Sequence, residues 1–271
     1  NGYNNIFISV TELPYLYDHK PNIRYTLSNK NDEYTIITNS TGLREKKDYA
    51  NLSSSIIFLG DSIVEGSFAE NNETLDSNFE RLTNIVSLNF GLSATNTVHQ
   101  LEYLKYKYNE NYNTKIVILG FCLNDLETNN YKIYYDTKFK NWQLYEYINL
   151  ENENKSSTYY NDKNLKIKNI FQSIKNFIRN NSRLAYRLVS TYHKKKISRN
   201  FALNPYLSTE TNLIYTEKPI YELQKFVNSI NAKLFVVIFP YETQILYNLK
   251  RKDIIAPQSQ QQVIDILKKF K

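Results

Sequence analysis

The chain is 271 residues long, with 34 Lys+Arg against 27 Asp+Glu and a formal charge of +7. At roughly 100–200 residues per domain it makes one large domain or two small ones. Its 41% of hydrophobic residues is enough for a sizeable core, which excludes global disorder.

The single Cys122 excludes an intramolecular disulfide framework and a Cys-rich zinc site. His19, His99 and His193 are too widely spaced for a paired histidine metal motif. The charge is modest and its basic residues are spread along the chain, which speaks against a nucleic-acid partner. No apolar run approaches the roughly 18–20 residues that cross a bilayer, and the first residues lack the pattern of a signal peptide. The sequence contains no methionine, even at position 1, so it is expected to be a segment of something longer. A removed terminus would leave room for a membrane anchor.

In chain order, Ile23–Ser28 and Glu33–Thr38 alternate apolar and polar residues around Asn29-Lys30-Asn31-Asp32, which predicts a hairpin. Ile56-Ile57-Phe58-Leu59 is a solid apolar run ending at Gly60, the mark of a strand buried on both faces. A short helix is predicted from Thr74 to Leu82, and a second strand over Ile85–Phe90, ending at Gly91. Val98, Leu101, Leu104 and Tyr108 recur at helical spacing. A third strand, Lys115–Leu119, ends at Gly120. Residues 126–163 are polar and rich in Tyr and Asn, and read as an insertion or lid. Ile167, Ile170, Phe171, Ile174, Phe177 and Ile178 mark an amphipathic helix, extended by Leu184, Leu188, Val189 and Tyr192. Pro219 suits the first turn of another helix, with Ile220, Leu223, Phe226 and Ile230 inward. A fourth strand, Leu234–Phe239, stops at Pro240, and a last helix runs from about Ser259 to Lys269.

Strands that alternate with helices, each a solid apolar run, predict an α/β fold with a parallel sheet covered on both faces. A β-rich extension over 1–50 is expected to pack on a main domain over 51–271, with an insertion at about 126–215. The final helix expects a further strand.

Ligands of such sheets bind at the carboxyl ends of the strands. Three of those ends carry unusual residues: Gly60-Asp61-Ser62, Asn89-Phe90-Gly91, and Gly120-Phe121-Cys122-Leu123-Asn124-Asp125. A serine hydroxyl is a weak nucleophile that needs an adjacent base, and its attack on an ester creates an oxyanion that needs fixed donors. Ser62 is the candidate nucleophile. Its own N–H, the N–H of Gly91 and the side-chain amide of Asn124 are the candidate donors.

Ile57-Phe58-Leu59-Gly60-Asp61-Ser62-Ile63-Val64-Glu65-Gly66 resembles the first block of the SGNH/GDSL hydrolase superfamily. Asn89-Phe90-Gly91 resembles its second block, and Gly120 to Asp125 its third. The lead-in Asn39-Ser40-Thr41-Gly42-Leu43-Arg44 is similar to members related to polysaccharide O-acetylation and to bacterial surface-modifying esterases. The resemblance implies a three-layer, doubly wound, flavodoxin-like sheet and a serine esterase or O-acyltransferase acting on an acylated carbohydrate or similar small ester, without a cofactor or a metal. It also leans towards an extracytoplasmic or membrane-associated place.

The family's Asp-x-x-His segment has no counterpart in these residues. Either the segment ends before the base, or the chain is a degenerate member that binds a carbohydrate or surface without catalysis. The plainer readings stand alongside: Ser62 as a turn cap, Asn124 as a self-bonded loop amide, Asp61 and Asp125 as braces or caps, Cys122 as a small buried hydrophobe. His99 reads as packed or solvent-facing, and His193, before Lys194-Lys195-Lys196, as a solvated helix end. Trp142 and the tyrosines of 131–147 read as a sugar-stacking lid or a codon-biased loop. A nucleotide binder is disfavoured, because no glycine-rich phosphate loop follows any strand.

Overall fold

A computed structural model describes residues 6–28 apart from Glu12 and Pro14, 33–136, 141–147, 207–245 apart from Thr209 and Thr243, and 258–270. Two small hairpins open the chain. β1 (Phe7–Ser9) pairs antiparallel with β2 (Tyr17–His19), and β3 (Arg24–Ser28) with β4 (Glu33–Ile37). Then come β5 (Ser55–Gly60), the one-turn helix α1 (Ser62–Glu65), α2 (Leu75–Thr83), β6 (Ser87–Gly91) and α3 (Thr97–Lys107). They are followed by β7 (Thr114–Cys122), the short α4 (Asp125–Thr128) and the antiparallel pair β8 (Tyr131–Asp136) and β9 (Asn141–Tyr147). The long helix α5 (Glu210–Ser229), β10 (Lys233–Phe239) and α6 (Gln258–Lys268) complete the described elements.

The central sheet has four parallel strands in the order β10-β7-β5-β6. All six residues of β5 are buried because both faces of the sheet are covered. Ile57 and Leu59 point to one side, into a core with Leu88, Phe90, Val117, Leu119 and Phe121, closed by Leu101 and Leu104 of α3, Leu223 and Val227 of α5, and Val263 and Ile266 of α6. Ile56 and Phe58 point to the other side, against Val64 of α1 and Phe79 of α2. Each such side chain contributes about 1.5–3 kcal/mol on burial.

The N-terminal hairpins share the larger core through Ile6, Phe7, Leu16, Tyr17, Ile36 and Leu43. Polar ties add direction: Tyr103 Oη donates to Asp18 Oδ1 at 2.9 Å, and Lys107 pairs with the same carboxylate.

Several sequence expectations need revision. β7 runs on past Gly120 to Cys122, because Phe121 and Cys122 continue the ladder against Ile238 and Phe239 of β10. β6 begins at Ser87, with Ile85 left 40% exposed. Pro219 lies inside α5. The turn before it is held by tertiary contact, where Asn129 Nδ2 donates to the buried Thr216 Oγ1 at 3.1 Å. The expected insertion holds α4 and the β8–β9 hairpin before residue 148. The helix over 167–178, its extension to Tyr192 and His193 lie outside the described residues. No helix among the described residues is long and apolar enough to cross a membrane.

Asn89 of β6 anchors a buried carboxylate pair. Its N–H donates to Glu45 Oε1 at 3.0 Å, and its Nδ2 to Asp76 Oδ1 at 2.6 Å and Val64 O at 3.1 Å. Tyr49 Oη donates to Glu45 Oε2 at 3.0 Å. Burial and then the charge of Asp76 push the Glu45 carboxyl well up. Burial also pushes Asp76 up to about 6, against hydrogen bonds from Thr74, its own backbone and Asn89 and the charge of Arg44.

The folded chain therefore keeps a proton on Asp76 that the unfolded chain releases, so stability falls as pH climbs from about 4 through about 6. Asp76→Asn is expected to match the parent below about pH 4 and to exceed it above about pH 6 by on the order of 2 kcal/mol. Urea midpoints across that range test this; a variant that tracks the parent at every pH would show Asp76 ionised throughout.

Candidate active site at the exits of strands β5, β6 and β7

The chain leaves β5 at Gly60 and turns at once into α1. Asp61 caps that helix by accepting from Ile63 N–H at 2.9 Å, and Gly66, at φ +75°, closes it by donating to Ser62 O at 3.0 Å. The cap accounts for Asp61, whose carboxyl burial pushes up against the Ile63 amide and the Cys122 thiol. Ser62 is the first residue of α1 and half-buried. Neither its hydroxyl nor its N–H makes a hydrogen bond among the described residues.

β5 and β7 pair directly, with Gly60 opposite Gly120. The Ser62 turn and the Cys122–Asn124 segment therefore leave the sheet side by side. Asn124 precedes α4 without capping it. Its Oδ1 is buried without a partner, and its Nδ2 donates to nothing among the described residues. A buried amide oxygen left unpaired is costly, so such groups call for an explanation.

Asp125 behind it is fully buried and accepts from Thr97 Oγ1 at 2.9 Å and Gln100 Nε2 at 3.4 Å. Burial and the Asp61 charge push its carboxyl well up. Cys122 is buried, and burial with the Asp61 and Asp125 charges drives its thiol upward, away from the thiolate that a nucleophile needs.

Gly91 does not occupy the place expected of it. Its N–H already donates to Asn89 Oδ1 at 2.9 Å. A Cβ on it would lie 2.0 Å from the backbone N of Glu65, so the missing side chain admits α1 rather than a substrate. Gly91 is a packing residue, and its N–H leaves the set of donors.

Three residues on, the chain offers another. Ala94 is exposed between the buried Ser93 and Thr95, adopts a left-handed φ of +59°, and its N–H has no partner among the described residues. Non-glycine residues in that region cost roughly 1–2 kcal/mol and concentrate at functional sites. Nothing in an alanine announces this conformation in the sequence.

The underside of α1 holds charged residues that sequence patterning passes over as surface. Glu65 is fully buried, with Oε1 accepting from His19 Nε2 at 2.6 Å and Oε2 from Ser67 Oγ at 2.5 Å and from Ser93 Oγ. Burial works to raise its carboxyl, but the His19 hydrogen bond and charge, with both serines, hold it down to about 2. Arg44 is buried too, donating to Glu65 O at 2.6 Å and to Gly66 O and Ala69 O.

Neither described histidine serves Ser62. His19 is committed to Glu65, and His99, fully buried in α3, bonds Asn96 Oδ1 at 2.7 Å. Among the described residues no cluster of three or more His, Cys, Asp or Glu side chains could hold a metal ion.

Fold and site together define an α/β protein with a four-stranded parallel sheet, flanked by helices, whose strand exits carry a serine and an asparagine amide without partners among the described residues. No protein-family model matches the chain, and no curated protein matches it significantly.

Proposed function

We propose that the chain carries a serine acyl-transfer site of the SGNH/GDSL type, on a three-layer, doubly wound, flavodoxin-like sheet. One observation carries the reading: at the exits of paired strands β5 and β7, Ser62 and the Asn124 amide both lack partners among the described residues. In chain order the strands lie 2-1-3-4, and the direction of winding reverses between β5 and β7, where ligands of doubly wound sheets bind.

Ser62 Oγ attacks the carbonyl carbon of an ester. The bond to the alcohol breaks, and the serine proton leaves with the alcohol. Water or a sugar hydroxyl then takes the acyl group from Ser62 and returns a proton to it. The oxyanion of each step is held by the Ser62 N–H, the Ala94 N–H in place of Gly91, and Asn124 Nδ2. No described histidine is assigned as the base.

A fluorophosphonate probe on the full-length protein is expected to label Ser62 alone. Ser62→Ala then loses labelling and at least about 10³-fold in ester turnover, and Asn124→Ala loses about 10²–10³. An intact protein that resists the probe and turns over no ester overturns the reading. Saccharide binding that ignores Ser62→Ala, with no ester turnover, would instead support a non-catalytic carbohydrate- or surface-binding module.

A further inference from the structure

We infer that Tyr17, in the N-terminal hairpin, is a positioning residue for the Ala94 donor, an inference that rests on the acyl-transfer reading above. The Ser93–Ala94 peptide is trans, like every described peptide bond. In a planar trans peptide the carbonyl oxygen and the amide hydrogen point in opposite directions. Whatever holds Ser93 O on the inside therefore aims Ala94 N–H outward.

Tyr17 Oη donates to Ser93 O, bridging 76 positions of sequence. The tyrosine is 1% exposed, and its ring packs edge-on against Phe7 at 5.4 Å, so the hydroxyl is delivered from a fixed side chain. The other polar end of Ser93 is held from the same buried side. Its Oγ donates to Glu65 Oε2 and lies 2.7 Å from Ser67 Oγ. Two residues beyond Tyr17, His19 holds the opposite oxygen of Glu65.

The turn is thus gripped at its carbonyl and its hydroxyl from the core, and only Ala94 protrudes. A left-handed alanine does not keep this geometry by its own preference. The Tyr17 hydroxyl supplies the restraint, and a donor fixed before the reaction stabilises the oxyanion without reorganisation.

Tyr17→Phe removes the hydroxyl and leaves the ring against Phe7. In the full-length protein kcat is expected to fall on the order of tenfold, a fraction of the about 10²–10³ lost with a whole donor, while KM stays within about twofold. A purely structural tyrosine would lower the melting temperature and leave kcat, measured well below it, unchanged; that result overturns the inference.

A second measurement needs no variant. In the phosphonate adduct of Ser62, the Ala94 amide proton is expected to move downfield in ¹H–¹⁵N spectra, and an unmoved Ala94 resonance also overturns the inference. A wild type inert to probe and ester sinks the acyl-transfer reading and this inference with it. An active wild type matched by Tyr17→Phe sinks the inference alone.

Discussion

Replacing Arg44 by Met is expected to cost the fold about 3 kcal/mol, because buried backbone carbonyls lose their charged donor. The guanidinium is buried and faces the end of α1 and the loop after it, donating to Glu65 O, Gly66 O and Ala69 O. Asn71 Oδ1 lies at the edge of its reach, 3.5 Å from Nε, and itself accepts from Ile37 N–H at 2.9 Å. Gly66 O also accepts from Ala69 N–H at 2.9 Å, but a one-turn helix offers Glu65 O no donor of its own.

Methionine fills a similar volume but takes the donor from Glu65 O and Ala69 O, at about 1–3 kcal/mol for each oxygen left buried without one. Arg44→Lys keeps the charge without the planar fork, and is expected to fall between the parent and Met. Urea midpoints by circular dichroism read both variants. A loss below about 1 kcal/mol for Met, the scale of an ordinary surface change, would mean that water reaches those carbonyls.

What the sequence disclosed, and what it hid, follows from the range of each interaction. β5, β6 and β7 were legible because strands covered on both faces must be apolar at consecutive positions, a local signal, and β10 by the same apolar run although Phe235 and Val237 on one of its faces are exposed. The β3–β4 hairpin was legible by alternation. β1 and β2 were not: three residues are too few to show a period, and Tyr17-Asp18-His19 looks polar. That strand is buried because Lys107 and Tyr103 meet Asp18 and Glu65 meets His19, partners more than forty positions away. Arg44 and Glu65 were hidden for the same reason. Charged side chains are seldom buried unless paired, and a distant partner leaves no local trace.

At the candidate site, sequence placed Ser62 and Asn124 at strand exits, where the structure has them. It took Gly91 as a donor because it could see that Gly91 is small without seeing that α1 packs on it and that its N–H is bonded to Asn89. Ala94 carried no signal at all, since an alanine side chain does not favour the left-handed backbone it adopts.

Gly91→Ala tests the packing role of that residue. The backbone φ of Gly91 is not in the left-handed region, so an alanine there carries no conformational penalty and only its volume matters. The added Cβ would lie 2.0 Å from Glu65 N, 2.4 Å from Glu65 Cα and 2.6 Å from Val64 C. All three are backbone atoms, and no rotamer change relieves them. β6 and α1 must separate, and with them the Glu65 network and the Ser62 turn.

The expected loss is about 3 kcal/mol, the upper end of what overpacking usually costs, with ester turnover falling in parallel. Gly60→Ala is the matched control. Its Cβ would meet the Val64 side chain at 2.4 Å and Gly120 O at 3.0 Å, a clash with one side chain more than with backbone. The control should therefore lose less. If Gly91→Ala instead stays within about 0.5 kcal/mol of the parent, the size of an ordinary surface change, then α1 does not press on β6 as described. In that case the packing role of Gly91 fails, while its N–H stays committed to Asn89 Oδ1.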